Sequence, residues 1–445
     1  MKKLILMVVV CALAGLQTLA QTQSGEATIA ASRQAPAEAA DPRRRSFDIV
    51  WRTVREKHFD PALGGVDWDA VRRKYEPLVA RAGKDRDFYR LLNEMLGELR
   101  QSHFGVIPPE AILADGSLDA PVGEIGVDLR IVESRAVITR VAPGSAAERA
   151  GLRPGFAIER IDGMDVAKRR KELMVKLSRI SLTREMNTGL KNFTVAQVLR
   201  YRMGGKPGTP ARLEVLDERN RTRRVTAERE KVAGEMAAAV GNLPAARLDF
   251  EARRLAGGAG YVRFNGFLMP VMAKVRAAMR EFHDAPGIIF DLRGNGGGLG
   301  GLAPGIIGLM ESRQTSIGVT RMRAGHQNLV AFPQPNPYRG RVAVLVDAGC
   351  ASTCEIFAAG LQDLGRAVVI GESSAGMALP SMFEKLPTGA IFQYVFADFK
   401  TAKGLLLEGR GVTPDVTLAP TRESLLTGRD PLIEAALDRI STARN

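Results

Sequence analysis

Residues 342–377 leave the chain little choice of local structure. Residues 342–346 (VAVLV) form an unbroken apolar run of strand length, the pattern of a strand buried on both faces. Asp347 to Ala351 is a turn of small residues, Ser352 opens a helix whose spacing holds from Glu355 to Leu364, and Gly365 stops it before the buried-strand run 367–370. Strand, tight turn, helix and strand in succession predict a parallel α/β layer. The turn presents the side chain of Ser352 at the sheet edge beside free backbone N–H groups. Two uses of that serine stay open here. Ser352-Thr353-Cys354-Glu355 fits the S-x-x-E capping box, and the same turn fits a nucleophile elbow.

The rest of the chain divides by texture. Residues 1–20 have the lysine-rich start, short apolar run and small residue before Gln21 of a secretory signal peptide. This predicts a bacterial protein that is periplasmic or secreted, without a stable membrane anchor. Residues 21–44 read as a disordered spacer. Residues 45–118 form a helical domain: Phe47, Val50, Trp51 and Val54, then Trp68, Val71 and Tyr75, then Phe88, Leu91, Leu92, Met95 and Leu99 recur at helical spacing. Residues 119–230 are β-rich. Their elements GSAAERAGLRPG and IERIDG, in that order, resemble a PDZ domain, with a helical insertion between Val166 and Gly205. The resemblance places a peptide-binding loop at Gly126 and Val127, where backbone N–H groups would take up the C-terminus of an added strand. Residues 231–445 alternate strands with helices.

The net charge of +14 comes mostly from dispersed arginines. The dense stretches 43–45, 168–171 and 219–224 lack aromatic interleaving, so no nucleic-acid partner is expected. Once the signal is removed, Cys350 and Cys354 remain, one on each side of Ser352. A disulfide and a pair of buried thiols both stay open.

The glycine run after Leu292 (RGNGGG, 293–298) is not followed by the Gly-Lys-Ser/Thr of a nucleotide loop. Glycines after a strand let backbone N–H groups approach an anion, as the oxyanion of acyl transfer requires. Histidines occur at 58, 103, 283 and 326 only. His58 and His283 have the contexts of surface or packing residues, and His326 lies in a Gly- and Pro-rich stretch. His103 follows Ser102 at a helix-to-strand junction, which suits a base reaching across domains. No histidine pair has metal-ligand spacing, and no metal or cofactor is expected.

The segments GYVRF, DLRGNGGG, CASTCEIFAAGLQDLGRAVVIGE and EGRGVTPDV, in this order behind a helical segment and a PDZ domain, resemble the C-terminal-processing (tail-specific) peptidases and the tricorn core protease. The resemblance implies an α/β, ClpP- or crotonase-like catalytic domain with an N-terminal helical bundle and an inserted PDZ domain. It implies a serine endopeptidase with Ser352 as nucleophile and an oxyanion hole from Gly296 or Gly297 with Thr353. Tail-specific enzymes place a catalytic lysine in G-E-x-x-x-G-K-G, whereas this chain reads Gly371-Glu372-Ser373-Ser374-Ala375-Gly376-Met377. Methionine cannot take a proton, and Lys385, Lys400 and Lys403 have no motif support. The tricorn-like branch is similar at Ser102-His103 and at the segment from Glu408 to Asp415, which implies His103 as base, oriented by Ser102 and Glu408. The expected function is hydrolysis of unfolded or C-terminally exposed polypeptides recruited by the PDZ domain. The alternative is an inactive binding scaffold.

Overall fold

The structure is a computed structural model and describes residues 41–111, 123–179, 188–231 and 234–441. The expected signal segment and the spacer up to residue 40 lie outside the described residues. Helix α1 (Pro42–Lys57) begins earlier than the expected Arg45. Asp41 accepts from the Arg43 N–H and Pro42 occupies the first turn, where its missing N–H costs nothing. Helices α2 (Trp68–Ala80) and α3 (Asp85–Gly97) follow the expected apolar spacing.

These helices do not have a core to themselves. Strand β1 (Gly105–Ile107) follows the Ser102-His103 turn. Further along come the PDZ strands β2 (Val127–Val132), β3 (Arg135–Val141) and β4 (Ala157–Ile161), helices α4 (Val166–Arg179) and α5 (Thr188–Met203), and strands β5 (Pro210–Leu216) and β6 (Thr222–Glu228). They make one sheet in the order β2-β3-β4-β5-β6, so β2 is an edge strand, and α5 packs against it. Gly126 enters β2 at φ +87, and a β-carbon there would lie 2.4 Å from Ser145 Cβ. Only glycine serves that bend.

The C-terminal layer comprises β7 (Phe250–Arg254), β8 (Gly260–Phe264), α6 (Val271–Glu281), β9 (Gly287–Asp291), β10 (Thr315–Met322), β11 (Gly325–Ala331), β12 (Arg341–Val346), α7 (Thr353–Asp363), β13 (Ala367–Gly371), β14 (Ser381–Lys385), β15 (Ile391–Val395), β16 (Ala397–Thr401), β17 (Val416–Thr417) and α8 (Pro431–Ser441). Its main sheet runs β7-β8-β9-β12-β13-β17, with β7 antiparallel to β8 and the rest parallel. The apolar run of β12 is explained by its two faces. Val342, Val344 and Val346 pack with Val275 of α6 and Phe357 of α7, whereas Ala343 and Leu345 pack with Leu432 and Ala436 of α8. Burying each such valine or leucine contributes about 2 kcal/mol.

Two parts of this layer read differently in sequence. Strands β10, β11 and β16 form a separate antiparallel sheet, and exposed His326 lies in β11 rather than in a loop. The hairpin β14–β15 pairs with β1 and shares its core with α1–α3 through Leu379, Leu386, Phe392 and Tyr394. The helical segment is therefore packed onto the C-terminal α/β part, which carries His103 across to it.

Candidate active site

Ser352 stands where the C-terminal end of β12 turns into α7, the end of a parallel strand at which α/β proteins place their sites. Its φ of 58° and ψ of −122° lie outside the regions open to most L-residues, a strain of order 1–3 kcal/mol that its neighbours must hold. Its N–H donates to Met377 O (2.7 Å) and to Glu355 Oε2 (3.0 Å). Only the glutamate half of the capping box therefore forms. The Ser352 hydroxyl is fully buried and makes no hydrogen bond among the described residues, which leaves it uncommitted to the cap.

Cys350 and Cys354 are joined by a disulfide with a Cα–Cα separation of 5.5 Å, which decides between the two alternatives left by the sequence. The left-handed serine between them folds the turn back far enough for the sulfurs to meet.

Glu355 does more than cap. It also accepts from Ser374 Oγ (2.5 Å), Gly376 N (2.8 Å) and Met377 N (2.9 Å). Burial pushes its carboxyl up to about 7, against the pull of these four donors. The backbone of residues 374–377 is thus clamped to the Ser352 turn. Met377 takes part through its main chain alone, and its side chain packs with Ala375 into the PDZ-side cluster with Leu129 and Val195.

The glycine loop lies directly against the serine. A β-carbon on Gly297 would sit 2.8 Å from Ser352 Cβ and 2.9 Å from Thr353 N, and its φ is +91. The Gly297 N–H is held by Asn295 Oδ1 (2.9 Å), whereas those of Gly296 and Thr353 make no hydrogen bond among the described residues. Thr353 Oγ1 donates to Gly298 O (2.8 Å) and fixes the loop to the helix.

The second group forms on the other side of residues 374–378. Glu408 Oε1 accepts from the Ser102 N–H (2.9 Å), and Oε2 accepts from Ser102 Oγ (2.9 Å) and the Ala378 N–H (3.0 Å). Ser102 Oγ is also 2.6 Å from His103 Nδ1. Because the hydroxyl proton goes to the carboxylate, Oγ must accept from Nδ1–H. The imidazole proton is then on Nδ1, and Nε2 carries a free lone pair with no hydrogen-bond partner among the described residues. Burial alone pushes His103 down to about 4, so the ring is neutral near pH 7. Burial raises Glu408 as well, against the donors from Ser102 and Ala378.

Ser102, His103 and Glu408 are thus brought together, and Ser352 is brought to Gly297 and Thr353. Adjacent N–H groups of one segment, Met377 to Glu355 and Ala378 to Glu408, tie the two groups to each other. No hydrogen bond joins Ser352 to His103 in this structure. Lys385, Lys400 and Lys403 are exposed, and His283 is exposed, whereas His58 is fully buried. Among the described residues no cluster of three or more His, Cys, Asp or Glu is placed to hold a metal ion.

Sequence reasoning missed the PDZ contact with these loops. Arg130 of β2 pairs with Asp347 and lies 5.0 Å from the ring centre of Phe193 on α5. Phe193 fills the space beside Gly349, where a β-carbon would approach its ring to 2.3 Å. Asp347 Oδ1 in turn accepts from Gly294 N and Gly349 N, both at 2.8 Å. The only sequence signal was the small-residue turn itself.

Residues 258–418 match the model of peptidase family S41. The chain carries a peptidase S41 domain. Residues 40–97 match the tricorn protease C1 domain and residues 117–181 a PDZ domain. Among curated S41 relatives, the chain is 27% identical over 406 residues to the carboxyl-terminal-processing protease of Synechocystis sp. (strain ATCC 27184 / PCC 6803 / Kazusa), covering 88% of this chain and 85% of that one. It is 26% identical over 410 residues to putative tricorn protease homolog 2 of Streptomyces coelicolor (strain ATCC BAA-471 / A3(2) / M145), covering 88% of this chain and 32% of that longer protein. The fold is similar to that of the photosystem II D1 C-terminal processing protease, with a TM-score of 0.54 at 21% identity over 87% of this chain and 95% of that one. It is also similar to mature CPAF, with a TM-score of 0.61 at 13% identity over 91% of this chain and 99% of that one. The chain is thus a serine peptidase with an S41 domain, a mixed α/β fold and a PDZ domain, and it is similar to C-terminal-processing and tricorn-type proteases.

Proposed function

We propose that this S41 protein is an exported endopeptidase that cleaves unfolded or C-terminally exposed polypeptides through an acyl-enzyme on Ser352, with His103 as base. The observation that carries this reading is the polarity of the chain His103 Nδ1–H to Ser102 Oγ–H to Glu408 Oε2, which leaves Nε2 as a proton acceptor while Met377 replaces any lysine. His103 Nε2 takes the Ser352 hydroxyl proton as Oγ bonds to the scissile carbonyl carbon. The C–N bond then breaks, and the imidazolium returns the proton to the leaving amine. Water, deprotonated by the same imidazole, releases the acyl group. Ser102 and Glu408 hold the ring in the required tautomer and stabilise its cationic form.

Of the N–H groups proposed for the oxyanion, those of Gly296 and Thr353 make no hydrogen bond among the described residues, and that of Gly297 is engaged within its own loop. One such donor contributes about 3 kcal/mol to the transition state. The edge strand β2, entered through Gly126 and Val127, supports recruitment of a substrate C-terminus by strand addition. The lysine-rich, apolar start of the chain supports export to the periplasm or beyond. Among the described residues no helix is long and apolar enough to cross a membrane.

The test uses a fluorophosphonate probe and fluorescently labelled casein as an unfolded substrate. The parent is expected to react with both, and Ser352→Ala and His103→Ala with neither. A parent that neither labels nor cleaves, or a Ser352→Ala protein that cleaves equally, sinks the proposal and favours a binding scaffold.

A further inference from the structure

The Ser102-His103 turn is bracketed by a residue that the catalytic reading leaves unused. His58 is the residue after α1, fully buried, and its Nδ1 lies 2.9 Å from Asp60 O and 3.0 Å from the Asp60 N. Its Nε2 is hydrogen-bonded to the side-chain amide of Gln101, 2.8 Å from Oε1. The same ring stacks on Phe104, with centroids 5.9 Å apart and planes 12° apart, and on Phe59 at 4.4 Å. One imidazole therefore holds Gln101 by a hydrogen bond and Phe104 by its face, the two residues on either side of Ser102-His103.

The turn needs such a hold. Arg100 and His103 both have left-handed backbones, with φ of 50° and 60°, which non-glycine residues keep only when their surroundings fix them. Downstream, Asn93 exchanges two hydrogen bonds with the Val106 backbone (2.9 and 3.0 Å), and β1 pairs with β15. Upstream, Gln101 is held by the His58 ring. Between these anchors Ser102 bonds to Glu408 through its N–H and its hydroxyl.

We infer that His58 is a positioning residue for the peptidase reaction, setting the orientation of His103 through Gln101 and Phe104 without touching substrate. This rests on the assignment of His103 as base. Loss of the bracket lets the strained turn relax, and a displacement of about 1 Å of a catalytic group lowers rate about 100-fold.

The experiment measures fluorophosphonate labelling of Ser352 on the full chain, split into the maximal rate constant and the half-saturating concentration. It is run at a temperature where melting curves show every variant folded. His58→Ala is expected to lower the maximal rate constant about 10- to 100-fold with the half-saturating concentration unchanged. In His58→Gln the terminal amide can stand near the position of Nε2 and keep a hydrogen bond to Gln101, so it is expected to recover most of the rate. His58→Asn is too short to reach and is expected to stay low. A folded His58→Ala protein that labels within twofold of the parent overturns the inference, as does a His58→Gln protein no faster than His58→Ala. His103→Ala separates the two levels. If it is inactive while His58→Ala is normal, only the positioning role falls; if it labels normally, the base assignment falls and this inference with it.

Discussion

His103 and Glu355 are both buried, and burial moves them in opposite senses, so the parent's stability should hide two large pH dependences that single substitutions expose. The imidazole falls from 6.5 to about 4 and the carboxyl rises from 4.5 to about 7. Each tenfold change in proton affinity between folded and unfolded chains is about 1.4 kcal/mol, which makes each effect about 3 kcal/mol. As pH falls from 6.5 towards 4, the unfolded chain takes up a proton on His103 that the folded chain refuses, so stability is lost. As pH rises from 4.5 towards 7, the unfolded chain gives up a proton that the folded chain keeps on Glu355, so stability is lost in that direction. Glu408, also raised, adds to the second effect. Between pH 4.5 and 6.5 the slopes oppose, and we expect the parent to vary by no more than about 2 kcal/mol.

His103→Ala removes the first slope, and its stability should fall by about 3 kcal/mol or more on going from near pH 4.5 to near pH 7. Glu355→Gln removes the second, and its stability should rise by about 2 kcal/mol over the same interval, with Glu408 offsetting part of the histidine effect. Urea unfolding followed by circular dichroism at three pH values in this range measures all three proteins. Both variants tracking the parent's pH profile, or slopes of the reverse sign, would refute the burial argument.

Glu408→Gln puts an amide where Ser102 Oγ and two backbone N–H groups donate, which disrupts the tautomer of His103; kcat on labelled casein should fall by about 10³- to 10⁴-fold while folding survives. Met377→Lys should not substitute for the histidine. Its side chain points into the apolar PDZ-side cluster, so denaturant titration should show a loss of about 2–4 kcal/mol, and the double variant with His103→Ala should stay unlabelled by fluorophosphonate. Protein isolated from an oxidising compartment should carry Cys350 and Cys354 as a disulfide, about 2 Da lighter than the reduced form by intact mass and resistant to alkylation.

Much of the site is legible in the amino-acid sequence. The strand–turn–helix around Ser352 follows from a continuous apolar run, a small-residue turn and a helical spacing, which are local signals. His103 and Glu408, 305 positions apart by subtraction of their numbers, are linked in the sequence only through a family resemblance, because no local pattern says which distant loop meets which. His326 reads as a loop residue because the first four residues of its strand are exposed and lack an apolar alternation, and one of the strands that complete its sheet lies far along the chain.

The amino-acid sequence by itself determined the local elements, the glycine loop, the strand–turn–helix that carries Ser352 and the absence of a lysine at position 377. Those depend on side-chain periodicity and on backbone freedom within a few residues. Only the tertiary structure decided what each group is bonded to. It left the Ser352 hydroxyl out of the cap, closed the Cys350–Cys354 bridge, turned Met377 into the PDZ interface, and aligned Ser102 so that the His103 proton sits on Nδ1. Hydrogen-bond polarity and burial are set by partners far away in the chain, and they govern which atom accepts a proton.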